Sequence, residues 1–380
     1  MMRPLAQGWS ELQAFDRTLQ LLFVALLFVG FIAMTSASVE HAAGRYGDAF
    51  FFAKRYFLHF TIAVSAMLVM YFTPLVVWQR SGWLLLLLGF LLLSLVLIPG
   101  IGREVNGSRR WLAFGPLTLQ ASEFVKLFVI FYLAGYLVRR RDEVREQWSG
   151  FVKPMAVLFA VTMLLMLEPD FGATVVTAGT AFVMIFLGGV KLGQFLLVIL
   201  SCVAGAVAMV IFEPYRMKRL TAFTDPWADQ FNTGYQLTQS LIAFGRGELT
   251  GVGLGNSVQK LFYLPEAHTD FVFAIFAEEF GFVGSVTILA LFAGLIGRML
   301  YIGRFAERTG RQFHAFVAYG CAVMISGQAF INIGVNAGLL PTKGLTLPFM
   351  SYGGSSLIVC MAMVGVVGRI ERECRGSHGH

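Results

Sequence analysis

The stretch GWLLLLLGFLLLSLVLIPG, residues 82–100, decides the fold. It carries no charged side chain, and as a helix rising 1.5 Å per residue it is about 28 Å long, close to the ~30 Å hydrocarbon thickness of a bilayer. A helix apolar on every side has no solvent face, so it is buried in a core or in lipid. Working outward, runs of similar length lie near 18–39, 56–78, 119–138, 152–168, 171–190, 193–212, 271–302, 313–335 and 351–369. Hydrocarbon offers no partner to a free backbone N–H or C=O, so each run is expected to close its hydrogen bonds as a helix. The sequence therefore predicts an all-α polytopic membrane protein of ten transmembrane helices. Its composition agrees: 57% of the 380 residues are hydrophobic and 13% charged, against about 25% charged in soluble domains.

This excludes an ordinary soluble enzyme, a disordered chain and a disulfide scaffold. The net charge of +7 is modest and scattered, which excludes a nucleic-acid partner. The four cysteines form no CxxC pair or Cys/His cluster. Residues 1–17 are expected to form a cytoplasmic or interfacial segment, with Trp9, Leu12, Phe15 and Leu19 on one helical face and no cleavable signal. Residues 18–369 form one transmembrane domain, and 370–380 form a tail to which no role is given. Arginine and lysine in the short connections, Arg139 to Arg141 above all, place both termini in the cytoplasm. Segment 213–270 then becomes one large periplasmic loop between spans seven and eight. It is too long for a mere connection, and too aromatic (Phe223, Trp227, Phe231, Tyr235, Phe244) for disorder. The polar connections 101–120 and 336–350 fall on the same outer face.

Ionisable residues in or beside apolar spans are functional candidates by default. Glu123 and Lys126, three apart at the head of the fourth span, share a helix face as an ion pair, either to brace helices or to serve a ligand. Glu168 and Asp170 occupy the turn after span five, and Glu278-Glu279 lie within span eight. Asp270 precedes the apolar run 271–276, where water meets hydrocarbon. A carboxylate there can act as a general base with raised pKa, bind a divalent cation, or cap the helix. Pro265 is expected to start a helix with Glu266 and Asp270 on one face, and His268 to be a packing neighbour. Arg109, Arg110, Arg216, Lys218, Arg219, Arg246, Lys260 and Lys343 gather positive charge on the outer face. That pattern fits a phosphate-bearing ligand, or lipid headgroups for the three near 216–219.

LPEAHTDFVFAIFAEEFG (264–281), NGSRRWLAFGPLTLQASEFVKL (106–127), LEPDFGAT (167–174) and GLLPTKGLTLPFMSYGGSS (338–356) together resemble the SEDS family of bacterial wall polymerases. The resemblance covers the chain from the first span. PTKGLTLP (341–348) is similar to the division branch, because the elongation branch usually has an apolar residue in place of Lys343. The resemblance implies a peptidoglycan glycosyltransferase that polymerises lipid II, with inversion, on the periplasmic face of the inner membrane at the septum. It implies that the family's essential aspartate is Asp270, its acid–lysine pair Glu123 and Lys126, and its loop arginines and tryptophan Arg109, Arg110 and Trp111. Arg246, Lys260, Glu266 and Lys343 are further candidates for pyrophosphate or sugar contacts. A divalent cation, Mg or Mn, is expected at the leaving pyrophosphate with Asp270 as a candidate ligand; no organic cofactor is expected. The implied partners are a class B penicillin-binding transpeptidase of the FtsI type, other division membrane proteins and membrane lipids.

Three alternatives stay open on sequence. Glu278-Glu279 keeps a lipid II flippase or transporter in play, an elongation-type polymerase is the nearest relative reading, and a non-catalytic scaffold would leave Asp270 tolerant of substitution.

Overall fold

The computed structural model describes residues 16–105, 108–115, 117–211, 223–341 and 344–376. The proposed surface helix of residues 1–15, with Trp9, Leu12 and Phe15, lies outside the described residues, as do Arg216, Lys218, Arg219, Thr342 and Lys343. Among these residues twelve helices and three strands follow in chain order: α1 Arg17–Tyr46, α2 Phe51–Phe72, α3 Leu75–Leu97, β1 Gly102–Val105, β2 Ser108–Phe114, β3 Leu117–Gln120, α4 Ala121–Arg139, α5 Arg141–Glu146, α6 Trp148–Leu167, α7 Phe171–Leu187, α8 Leu192–Ile211, α9 Tyr235–Gly247, α10 Val272–Arg308, α11 Gln312–Asn336 and α12 Gly354–Gly376. Among the described residues eight helices are long and apolar enough to cross a membrane, and α7 and the described part of α8 are shorter apolar helices.

Burial sorts the helices. The most apolar windows of α4 and α12 are 83% buried, against 22% in α2 and 28% in α3. Helices α4, α11 and α12 are therefore the protein-facing centre, while α2 and α3 present Phe57, Leu84, Leu87 and Leu91 outward. In lipid that exposure costs nothing, because the tails are as apolar as the side chains.

Three segments differ from expectation. The second and third spans part at Pro74, not near Arg80: Pro74 is the extended residue that opens α3, and Arg80 lies inside that helix. A proline lacks the N–H that continuing α2 would require. Connection 101–120 is not an irregular loop but an antiparallel sheet, β1–β2–β3, in which Trp111 pairs with Arg103 on one side and Gln120 on the other. Segment 265–270 is a series of turns, not a helix. Glu266 adopts φ 57, off the helical path. Within the 213–270 segment, α9 packs against α10.

Helix α10 would measure about 55 Å if straight, well beyond a bilayer core. It breaks at Gly281 (φ 64, ψ −161). The opened ladder is mended by the loop beside it. Val252 and Gly253 N–H donate to the Glu278 and Glu279 carbonyls (both 3.0 Å), and Phe282 and Val283 N–H donate to Glu248 and Leu249 (2.9 and 3.0 Å). The two glutamates thus stand in the short segment before the kink, clasped by protein, and not within an unbroken apolar span. Gly251 (φ 82) makes this possible, because a Cβ there would run into the Glu279 carbonyl.

Candidate active site

Three chain segments converge around Asp270. The first is Asp270 itself, two residues ahead of α10. Its backbone carbonyl accepts from Asn332 Nδ2 and Asn336 Nδ2, both at 2.9 Å. The cap residue of α10 is Phe271, without a side-chain cap bond, so the capping role that sequence allowed Asp270 is not taken up. Turn bonds from Thr269 and Phe271 N–H to the Glu266 carbonyl shape the approach. His268 stacks among Phe52, His41 and Tyr352, and burial pushes its pKa down to about 4, so it is a neutral packing residue as expected.

The second segment is β2. Strand residues alternate faces, and this separates the two neighbouring arginines. Arg109 turns outward to an exposed pair with Glu104 at 3.1 Å. Arg110 turns inward: its Nε donates to the Glu168 carbonyl (3.2 Å) and its Nη2 to the Pro169 carbonyl (2.5 Å). Trp111 is half-buried beside it. The third segment is 344–346. A Cβ placed on Gly344 would lie 3.3 Å from Asp270 Oδ2 and 4.0 Å from Arg110 Nη1, so this backbone borders both groups.

The Asp270 carboxyl is pushed up to about 7. Burial is the first cause, repulsion from Glu266 and Asp170 adds to it, and Arg110 opposes. The group is then divided between acid and base near neutrality, where a general base works best. Asp170 caps α7 by accepting from Ala173 N–H (3.1 Å), and its Oδ2 accepts from Ser122 (2.8 Å) and Gln120 (3.1 Å).

Glu168, fully buried, has no hydrogen-bond partner for either carboxyl oxygen among the described residues. Burial, reinforced by Asp170 and only partly offset by Arg110, pushes it up to about 8. It therefore stays protonated at neutral pH while the unfolded chain ionises near 4.5. A group whose folded pKa is raised contributes stability present in full at low pH, lost as pH rises from the unfolded value to the folded one. Glu168→Gln, neutral at every pH, is expected to flatten the fall in thermal midpoint between about pH 5 and pH 8. The check is differential scanning fluorimetry across that range; an unchanged slope would refute the assignment.

Several sequence candidates stand apart from this cluster. Glu123 and Lys126 do form an ion pair (2.7 Å), but both are buried, and Lys126 also donates to Gln328 Oε1 at 2.9 Å. Buried together, they brace α4 against α11 through Gln328. Lys260, also buried, bonds Glu279 (2.9 Å) and Ser36 (3.0 Å), while Glu278 accepts from Ser257 (2.5 Å) and from the Val258 and Gln259 N–H groups. Arg246 lies 3.5 Å from Glu278. Both cations therefore serve the glutamates of α10, not Asp270. Desolvated acids need such partners. Glu266 is exposed, bonded by Thr269 at 2.6 Å, and acts on Asp270 through its charge.

Sequence reading missed Asn332, Asn336 and Gln328. Their signal was present as three amides spaced four apart in an otherwise apolar span. Among the described residues no three His, Cys, Asp or Glu side chains come together as a metal-ligand set. With Arg110 bordering the same backbone as Asp270, the donor set does not build a resident cation site.

The chain and its fold have counterparts. A protein from Pseudomonas fluorescens named probable peptidoglycan glycosyltransferase FtsW is 57% identical over 356 residues, covering 94% of this chain and 88% of that one. Its counterpart from Hahella chejuensis is 54% identical over 350 residues, covering 92% and 88%. Among solved structures, one from a study of how a peptidoglycan synthase complex coordinates polymerization and crosslinking aligns with a TM-score of 0.78 at 30% identity, covering 95% of this chain and 98% of the other. The rod shape determining protein RodA of Thermus thermophilus aligns at 0.70 and 28%, covering 94% and 97%. The family model described as cell cycle protein, FtsW/RodA/SpoVE, matches residues 17–376, and this integral membrane protein belongs to that family.

Proposed function

We propose that this chain is the peptidoglycan glycosyltransferase of the division septum, joining lipid II units into glycan strands with release of undecaprenyl diphosphate. The observation that carries the reading is the pairing of a carboxyl poised near pH 7 with an inward-facing arginine across the Gly344 backbone. In its ionised form, Asp270 takes the proton from the 4-hydroxyl of the acceptor sugar. That oxygen forms the bond to the anomeric carbon of the donor as the bond to the pyrophosphate oxygen breaks. The leaving group departs with the electron pair, and Arg110 faces the charge it gathers. One displacement inverts the anomeric centre, and Asp270 then returns its proton to water.

The reaction places the site on the periplasmic side, where α10 meets water. A Mg or Mn ion, if it takes part, would arrive with the substrate's phosphates, as Mg often does in phosphate sites. The transpeptidase partner of the related synthase complex suggests a membrane-anchored class B penicillin-binding protein here. An apolar groove of about 870 Å³ between α10 and α11, lined by Gly281, Ser285, Ala293, Gly297 and Ala329, has the small side chains that let a helix approach closely. The transport reading drew on Glu278 and Glu279; their bonds to the 251–260 loop account for both without a transported ligand. The test is glycan formation from labelled lipid II by the full chain with its transpeptidase partner, transpeptidation blocked. Absence of polymer under all activator conditions would overturn the proposal.

A further inference from the structure

Helix α11 carries Gln328, Asn332 and Asn336 at successive turns of one face, and all three are buried. In an apolar span a buried amide is costly unless its donors and acceptor are engaged. Here they are engaged with two chain segments that have no regular structure of their own, at Asp270 and at 345–346, and with the starts of α10 and α12 and Lys126 of α4. Asn336 accepts from Ala274 N–H (3.0 Å) and donates to the Asp270 carbonyl. Asn332 donates to the same carbonyl and to the Leu345 carbonyl (2.5 Å). Gln328 donates to the Thr346 carbonyl and to Ser356 Oγ (both 3.0 Å) and accepts from Lys126. One helix thereby holds Asp270, the 344–346 backbone and the buried Glu123–Lys126 pair in a single frame. Among the described residues of α11, Asn332 alone bridges the two segments that border the reacting space.

We propose that Asn332, backed by Asn336, is the positioning residue of the site: its amide joins the Asp270 and Leu345 carbonyls and so fixes the gap in which the acceptor hydroxyl is held. This rests on Asp270 being the base. Nothing in the bond pattern requires Asn332 to touch substrate. Its loss should therefore act on the chemical step more than on binding, because a small misplacement of a base costs rate steeply.

The experiment compares wild type, Asn332→Leu, Asn332→Gln and Met324→Ala. Each is full-length with its transpeptidase partner, and each is assayed for lipid II polymerisation across substrate concentration and pH. Leu keeps the branching and removes both donors, whereas Gln keeps the amide but moves it by one methylene. Met324→Ala removes buried packing one turn from Gln328 without touching the amides, and serves as the control for general loosening. Asn332→Leu is expected to lower kcat by about 10- to 100-fold with KM changed less than threefold. The acid limb of its pH profile should move below that of wild type as water reaches Asp270. Asn332→Gln should give a smaller kcat loss at an undisturbed thermal midpoint, and it carries the test if the Leu variant does not fold. A kcat within twofold of wild type in the Gln variant, or a Leu variant no worse than Met324→Ala with the acid limb unmoved, would overturn the proposal. A silent wild type would instead overturn the glycosyltransferase reading itself, so the two failures are distinguishable.

Discussion

Asp270→Asn is expected to lower glycan polymerisation by about a thousandfold, within the 10²–10⁴ range that a positioned general base supplies. Asn keeps the size and polarity of the side chain but cannot take the acceptor's proton. Assembly should survive, because the bonds that hold this position go from Asn332 and Asn336 to the backbone carbonyl, which the substitution leaves in place. Removing a half-buried carboxylate that Glu266 and Asp170 repel should also leave the thermal midpoint unchanged or higher at neutral pH. In the wild type the rate should rise with pH through a limb near 7, since only the ionised form accepts a proton; in the Asn variant that limb should vanish. Polymer above a tenth of the wild-type rate would rule out Asp270 as the base, and would return weight to a scaffold or flippase.

Arg110→Met is the second large effect, expected to cost about 10²- to 10³-fold in rate, as for loss of one preorganised donor to developing negative charge. Two consequences separate it from a general loss of structure. Arg110 opposes the rise in the Asp270 pKa, so its removal should push the acid limb of the rate profile to higher pH. Arg109→Met, one residue earlier on the same strand, should retain activity within a few-fold, because its partner is the exposed Glu104 and such surface pairs contribute little. Parallel polymerisation assays on the two single variants decide the matter. Equal losses would mean that the strand as a whole, and not the inward arginine, serves the site.

The contrast between Arg109 and Arg110 marks where linear sequence stops being informative. Both were candidates on charge and position. Only the strand pairing of residues 108–114, which periodicity in a short polar connection did not announce, assigns them to opposite faces. Lys260 and Arg246 were plausible phosphate contacts for the same reason, and they proved to be partners for Glu278 and Glu279 because a loop folds back onto the broken start of α10. Glu123 and Lys126 were correctly paired by their spacing of three, since helix geometry alone brings such residues together. Their burial behind Gln328 depends on which helices surround α4, and no local pattern encodes that.

By itself the sequence determined the membrane-embedded helical architecture, because apolar runs of bilayer length have only one way to satisfy their backbones in lipid. It also determined the candidacy of Asp270, because an ionisable group at the head of an apolar run is rare enough to stand out. The tertiary structure decided the rest of the site. Asp270, Arg110 and Gly344 come from segments far apart in the chain. Asp270 and the 344–346 backbone are joined by amides of α11 that look, in sequence, like minor polar interruptions of an apolar span, and Arg110 is held beside them by the Glu168 and Pro169 carbonyls. The pKa of Asp270 is likewise a property of that assembly, since burial and the neighbouring charges of Glu266, Asp170 and Arg110 exist only once the segments have been brought together.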